Sequence, residues 1–294
     1  MEVNKINLWF NNLWDIASPY LTWENAKAFS NSAFFTSLIG ALAGAFAGAY
    51  AAQRIVERKK IRDELTKEIR NTNAAIMLAF NISNSLLTLK KQHVKALKEN
   101  LDSSRKQLFE HQRKLESGEI QRNVPFDFKA DLQSLPLTQH PIDTLRKQVF
   151  EQLTVGGRPL SLVASLIQAI EWLNSSIERR NQLIEKFKET RAPENPNFPA
   201  IYFGLPMSAG EVNLDYPNTV DGIYSYTDDG IFYSHLLCQD LNEHGKDLAT
   251  DFKKRFRGKA PRINEADYQI AQDSGLMPSD EDYSDWLKCF VKGD

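Results

Sequence analysis

His235 and Cys238 stand three residues apart, and His244 follows nine residues after the first imidazole. An imidazole beside a thiol can activate a cysteine nucleophile, and two imidazoles with a thiol form a zinc donor set. The spacing argues against both. On a helix, nine residues amount to about two and a half turns, so His235 and His244 point to opposite sides and cannot share one ion. A thiol three positions from an imidazole is more commonly a small buried core residue. No G-x-x-x-x-G-K, H-E-x-x-H, G-x-S-x-G or G-x-G-x-x-G run occurs, so nucleotide hydrolysis, zinc proteolysis and dinucleotide chemistry have no motif to stand on. We therefore expect no catalytic residue, no metal site and no cofactor. Cys238 and Cys289 fit a reducing compartment in which neither forms a disulfide.

Charged and aromatic clusters come next. Lys253, Lys254, Arg255, Arg257, Lys259 and Arg262 surround Phe256. They form a candidate contact for an anion or a partner, or else a solvated helix end where cations complement the dipole. Asp280, Glu281, Asp282 and Asp285 suit the start of a last helix, with Ser279 as its N-cap. Tyr224, Tyr226, Phe232 and Tyr233 read as one face of a hairpin whose turn holds Asp228 and Asp229. With 36 Lys and Arg against 38 Asp and Glu, the net charge is −2, which offers no general attraction for nucleic acid.

The element that places the molecule is the 20-residue run 33–52, which carries no charge. As a helix it reaches roughly 30 Å, the hydrocarbon thickness of a bilayer. Thr36, Gly40, Gly44, Gly48 and Ala52 recur every four residues and form a small-residue ridge. Phe34, Leu38, Leu42, Phe46 and Tyr50 form a bulky ridge on the opposite face. Small-xxx-small faces let helices approach closely in lipid, so self-association through the glycines is expected. Only Phe34, Phe35, Leu38, Ile39, Leu42 and Phe46 clearly favour lipid, which makes insertion dependent on partners. A cleaved signal peptide ending near Ala49 and Ala51 is the rival reading, but the run starts late and ends against dense basic charge.

Lys5 and Lys27 precede the run, whereas Arg54, Arg58, Lys59, Lys60, Arg62, Lys67 and Arg70 follow it. That asymmetry predicts an inner or plasma membrane protein with its C-terminal part in the cytoplasm. In segment 1–32, Ile6, Trp9, Phe10, Leu13, Trp14 and Ala17 recur at helical spacing until Pro19. This predicts an amphipathic interfacial segment, with Trp9, Trp14, Tyr20 and Trp23 at the headgroups.

Past the run, residues 53–116 contain neither Gly nor Pro, which predicts a long helix. Phe80, Leu87, Val94, Leu101, Leu108 and Leu115 repeat every seven residues, joined by Ile69, Ile76 and Leu97, as in a coiled-coil seam. Asn73, Ser83, Lys90, Ser104 and His111 interrupt that seam, and a break is placed within 71–85. A second helix spans 159–190, where Val163, Leu166, Ile170, Leu173, Ile177, Ile184 and Phe187 follow 3,4 spacing with Arg180 as the one exception. It is expected to pack back against the first, making 53–191 a helical hairpin or coiled-coil domain. Between them lie an irregular connection, 117–140, and a short helix, 141–153.

Pro193, Pro196 and Pro199 mark a linker. Beyond it, 200–203, 222–226 and 231–234 read as strands, the last two joined across Thr227, Asp228, Asp229 and Gly230. Helices are expected at 234–256, 266–273 and 280–291. Residues 192–294 thus read as a small α+β domain. The fold class expected is mainly α: a single-pass transmembrane helix, a long cytoplasmic helical hairpin and that C-terminal domain.

Two functions fit this plan. In one, the chain is an oligomeric membrane effector or pore component, controlled by a cytoplasmic domain that binds a ligand or soluble protein partner. In the other, it is a membrane-anchored coiled-coil scaffold. An enzyme without a short linear motif is a third reading, resting on the C-terminal domain alone. One span, a helical stalk and a small sensor together resemble, in architecture, the membrane effectors of bacterial antiviral systems, a resemblance that implies a role in antiviral defence.

Overall fold

A computed structural model describes residues 24, 27, 32–121, 126–195, 197–207 and 210–290. The chain divides into two compact units, Met1–Glu64 and Leu65–Asp294. Most of the expected interfacial segment 1–32, including Trp9, Trp14, Tyr20 and Trp23, lies outside the described residues.

Helix α1 spans Ala33–Leu89, so both units contribute to it. Its start is fixed by Ser32, whose Oγ accepts a hydrogen bond from the Phe35 N–H at 3.2 Å and so satisfies one of the unpaired first-turn amides. In the first unit Leu38, Ile39, Leu42 and Phe46 of α1 remain uncovered; Leu42 is 50% exposed and Phe46 74%.

Within the second unit, α1 shows no break at 71–85. The departure from α geometry comes later, as a π-helical turn at Lys90–Val94, after which α2 runs Lys95–Glu116. Helix α3 spans Ile142–Gln152 and α4 spans Arg158–Glu189, close to the bounds expected of both. Gly157, at φ 63°, turns the chain into α4, and Pro159 occupies its first turn, where a missing N–H costs nothing. A 3-10 turn, Ala192–Glu194, leads to α5, Phe198–Phe203, and then α6, Asp215–Arg255. Short elements close the chain: α7, Gln269–Asp273, a 3-10 turn, Asp280–Tyr283, and α8, Ser284–Lys288. Ser279 Oγ accepts from the Glu281 N–H at 3.3 Å, the capping role read from the sequence.

The main packing is α4 against α6, with α3 beside α4 and α2 beside α6. The seam residues of α4 are buried as the 3,4 spacing predicts, from Val163 to Phe187. Leu87, Val94, Leu97, Leu101 and Leu108 of the heptad seam are buried too, in the chain's own core.

The α+β expectation for 192–294 is corrected: the described residues contain no strand, only one isolated bridge between Pro206 and Val212. Residues 200–203 belong to α5, and the expected hairpin 222–234 is the interior of α6. Aromatic and β-branched residues around an Asp-Asp-Gly triplet mimic strand and turn, but burial follows helical spacing through Ile223, Thr227, Ile231 and Ser234. Gly230 marks a helix crossing. A Cβ built there would stand 2.6 Å from Leu86 Cδ1 of α1. Residues from both sides of the expected 191/192 boundary share one core.

The connection 117–141 has neither helix nor strand among its described residues beyond the last turn of α2, yet α4 holds it firmly. Asn181 Oδ1 accepts from the Leu135 N–H at 2.9 Å, and its Nδ2 donates to the Leu135 carbonyl at 2.8 Å. Two turns earlier, Asn174 treats Thr138 the same way, at 2.9 and 3.1 Å. Between them Arg180, fully buried, donates to the Gln133 carbonyl at 2.6 Å and to the Asp131 carbonyl at 3.3 Å, with Tyr216 Oη at 3.4 Å. The one polar interruption in the α4 seam thus directs its buried guanidinium at backbone carbonyls of the connection.

Candidate functional site

Thr36, Gly40, Gly44, Gly48 and Ala52 all lie on α1 of the first unit, one helical turn apart and exposed. Around a Cβ built on each of the three glycines there is open space to 4 Å, so among the described residues nothing packs on the small face. Arg54, Arg58, Lys59 and Lys60 follow on the same helix, all exposed; the Arg54 guanidinium lies 5.3 Å from the centre of the Tyr50 ring, and Lys60 reaches Glu64 at 3.9 Å. Among the described residues, two helices are long and apolar enough to cross a membrane, Phe35–Glu116 and Arg158–Glu189. The apolar window of the second is 39% buried inside the protein and that of the first 0%.

The His/Cys group is dispersed. Cys238 Sγ lies 3.6 Å from the Ile76 carbonyl and accepts from the Tyr268 hydroxyl at 3.5 Å; burial pushes the thiol up to about 12, which leaves it protonated and inert at neutral pH. His235 packs edge-on against the Tyr268 ring at 4.5 Å, and burial lowers its pKa. His244 turns elsewhere, with Nε2 3.3 Å from Glu68 Oε1. Among the described residues no three His, Cys, Asp or Glu side chains gather as metal ligands.

Asp228 and Asp229, read as turn residues, lie mid-helix with specific partners. The ammonium of buried Lys90 stands 2.5 Å from Asp228 Oδ1, donates to the Leu276 carbonyl at 3.0 Å and lies 5.2 Å from the centre of the Tyr224 ring. Burial raises the Asp228 carboxyl above the usual range, against the pull of Lys90. Asp229 accepts from the Tyr283 hydroxyl at 2.9 Å, and its carboxyl is raised by burial as well. Phe232 stacks on Tyr283 at 3.7 Å and Tyr233 tilts against Trp286 at 5.3 Å, so two of the four aromatics read as a hairpin face hold the C-terminal segment, while Tyr226 packs on Trp172 of α4.

Two further groupings escaped the sequence. Glu68 accepts from the Thr154 N–H at 3.0 Å and from its hydroxyl as well as facing His244; beside it, Arg158 holds Asp240 with two hydrogen bonds, the Nε one at 2.9 Å. A cleft of about 780 Å³ lies here, bordered by Thr154, Gly157, Arg158, Asp240, Glu243 and His244. Every polar tip in this network answers another, which makes it a clamp between α1, α4 and α6. A groove of about 660 Å³ runs between α2 and the α5 region, lined by Leu108, Leu115, Phe126, Phe128, Phe198 and Leu205. Lys90 was visible as a polar residue on a seam, but its partner lay in a stretch read as a hairpin turn. The Glu68 network joins residues up to 176 positions apart and left no local signal.

Lys253, Lys254, Arg255, Arg257, Lys259 and Arg262 are all exposed, at and just after the end of α6. Arg255 Nε donates to Asp251 at 2.9 Å. No protein-family model, curated protein or solved structure matches the chain.

Proposed function

We propose that the chain is a single-pass membrane protein that associates with copies of itself through Gly40, Gly44 and Gly48, and that it acts as an oligomeric effector or pore component under control of its helical cytoplasmic domain. The observation that carries the reading is the pairing, on one uncharged run of helix, of exposed Leu38, Leu42 and Phe46 with a glycine face that meets nothing within 4 Å among the described residues. Exposed apolar surface of this extent in water is unfavourable, and lipid removes the cost. A backbone bared at every fourth residue gains contacts only when another helix lies against it.

The scaffold alternative has less support. It gave recruitment to the coiled coil and the C-terminal domain, and of the coiled-coil seam Leu87, Val94, Leu101 and Leu108 are buried within the chain. A recruiting role would fall instead to the groove of mixed polar and apolar lining beside α5. The resemblance to antiviral membrane effectors rests on architecture alone.

Membrane fractionation with alkaline extraction, followed by crosslinking in mild detergent, tests the reading. The full chain is expected in the membrane pellet with a ladder of oligomers, and Gly44→Leu is expected to shorten the ladder without changing the folded cytoplasmic unit. A protein that is soluble and monomeric without detergent overturns it. Release of a trapped dye from liposomes separates effector from passive anchor.

A further inference from the structure

The basic segment after α6 belongs to one end of the second unit. From Phe252 to Asn264 there are six cations and no carboxylate. The segment is fastened to the first turns of the unit's share of α1: the Asn73 carboxamide donates to the Arg262 carbonyl at 2.8 Å and accepts from the Asn264 N–H at 2.8 Å. A Cβ at Gly245 would touch both Ile263, at 3.0 Å, and Thr72, at 3.4 Å, so α6 and this loop close on α1 at the same level. Lys67 and Arg70, on those turns, are exposed as well. Asn73, an oddity on an apolar seam, is therefore the bracket that sets the basic loop beside the place where the unit begins.

From these observations we infer that this basic end is a docking surface for the anionic headgroups of the bilayer that holds the chain. The inference rests on the membrane reading above. Leu65 is thirteen residues from Ala52, the end of the uncharged run, and thirteen residues reach at most about 45 Å in any conformation. The basic end lies only about 12 Å of helix beyond Leu65, counted to Asn73. A surface tethered so closely meets a leaflet at high effective concentration. Among the described residues Lys253, Lys254, Arg257, Lys259 and Arg262 have no ion-pair partner, so their charge is directed outward. Partly exposed Phe256 sits among them as an apolar side chain suited to the interface. The occupant is a fluid anionic sheet, which needs density of charge and no fixed pocket.

The test uses the full chain reconstituted into phosphatidylcholine vesicles with or without 30% phosphatidylglycerol. Flotation reports membrane association, and mass-spectrometric lysine acylation reports cover. The expected result is flotation with both vesicles, with Lys253, Lys254 and Lys259 labelled about fivefold more slowly on the anionic ones. Lys188 serves as the unchanged reference, since its neighbour Phe187 packs on Tyr216 at the opposite end of α6. The protection is expected to vanish near 1 M salt, where the Debye length falls to about 3 Å, and in a Lys253→Glu, Lys254→Glu variant read at Lys259. Flotation with both vesicles but equal labelling overturns this inference and leaves the membrane reading standing. Flotation with anionic vesicles alone, with protection, overturns the span and keeps the docking surface; flotation with neither overturns both. Protection by an RNA oligonucleotide and not by vesicles overturns it in favour of nucleic acid.

Discussion

Helix α4 and the start of α1 each hold an apolar stretch long enough to cross a bilayer, with mean hydropathies of 1.2 and 1.5, and the surroundings of the two stretches are opposite. Leu162, Leu166, Leu173 and Ile177 of α4 are shut away by α6 and its neighbours, while Leu38, Leu42 and Phe46 of α1 have no such cover. The polar residues distinguish them better than the apolar ones. α4 carries Asn174, Arg180 and Asn181, each used to hold a neighbouring segment, while Glu171, Glu178, Arg179, Glu185, Lys186 and Lys188 are exposed. The run 33–52 carries no charge, and its small residues are spaced for a helix rather than for a side chain. Apolar surface is what both have; what each is built to touch differs.

The contrast can be broken at its strong side first. Leu173→Ala is expected to lower the unfolding free energy of the second unit by about 2–5 kcal/mol, the usual cost of truncating a leucine in a close-packed core. Urea denaturation followed by circular dichroism measures this, and a loss under about 1 kcal/mol would mean that the α4–α6 core is looser than its burial implies. Arg180→Ala follows, at about 2–4 kcal/mol: it removes charged hydrogen bonds to the Gln133 and Asp131 carbonyls, of which the second keeps the Tyr216 hydroxyl at 3.4 Å, and it empties a fully buried position. Asp131 itself is partly exposed and keeps its hydration, so the loss belongs to the carbonyls and the packing.

A smaller effect is expected at Asp229. Its carboxyl is raised, so the folded state binds a proton more tightly than the unfolded chain. Stability should then fall as pH rises from the ordinary carboxylate value through the raised one, and stay level above it. Asp229→Asn, which can still accept from Tyr283, is expected to remove that part of the slope and to stabilise slightly at pH 7. A steeper slope in the variant would contradict the assignment. At the weak end, Leu42→Ala is expected to leave the unfolding of the second unit unchanged within about 0.5 kcal/mol, as for a site without shared partners. A full core-sized loss there would show that the run is packed like α4 and would end the comparison.

Much of the helical plan was legible because it is written in local periodicity. The bounds of α3 and α4, the seam of α4 and the cap at Ser279 all follow from residues within a few turns of one another. The C-terminal region was misread because Gly222, Tyr224, Tyr226, Asp229 and Gly230 have the chemistry of a hairpin, and the reason they are helical is elsewhere in the chain. Gly230 is small because Leu86 approaches it, and Asp228 is charged because Lys90 lies buried opposite. The same holds for the candidate surfaces. The glycine face and the basic loop were visible as strings, whereas the bracket from Asn73 joins residues almost two hundred positions apart.

The asparagine clasp on α4 has a bearing on proteolysis. A protease needs several residues of backbone drawn out and unengaged before it can cut, and stretches without helix or strand are where it usually finds them. At Leu135 and Thr138 both the amide and the carbonyl are occupied by Asn181 and Asn174. Limited digestion should therefore spare 132–139, irregular as it is, and a nick there would report that α4 has already let go.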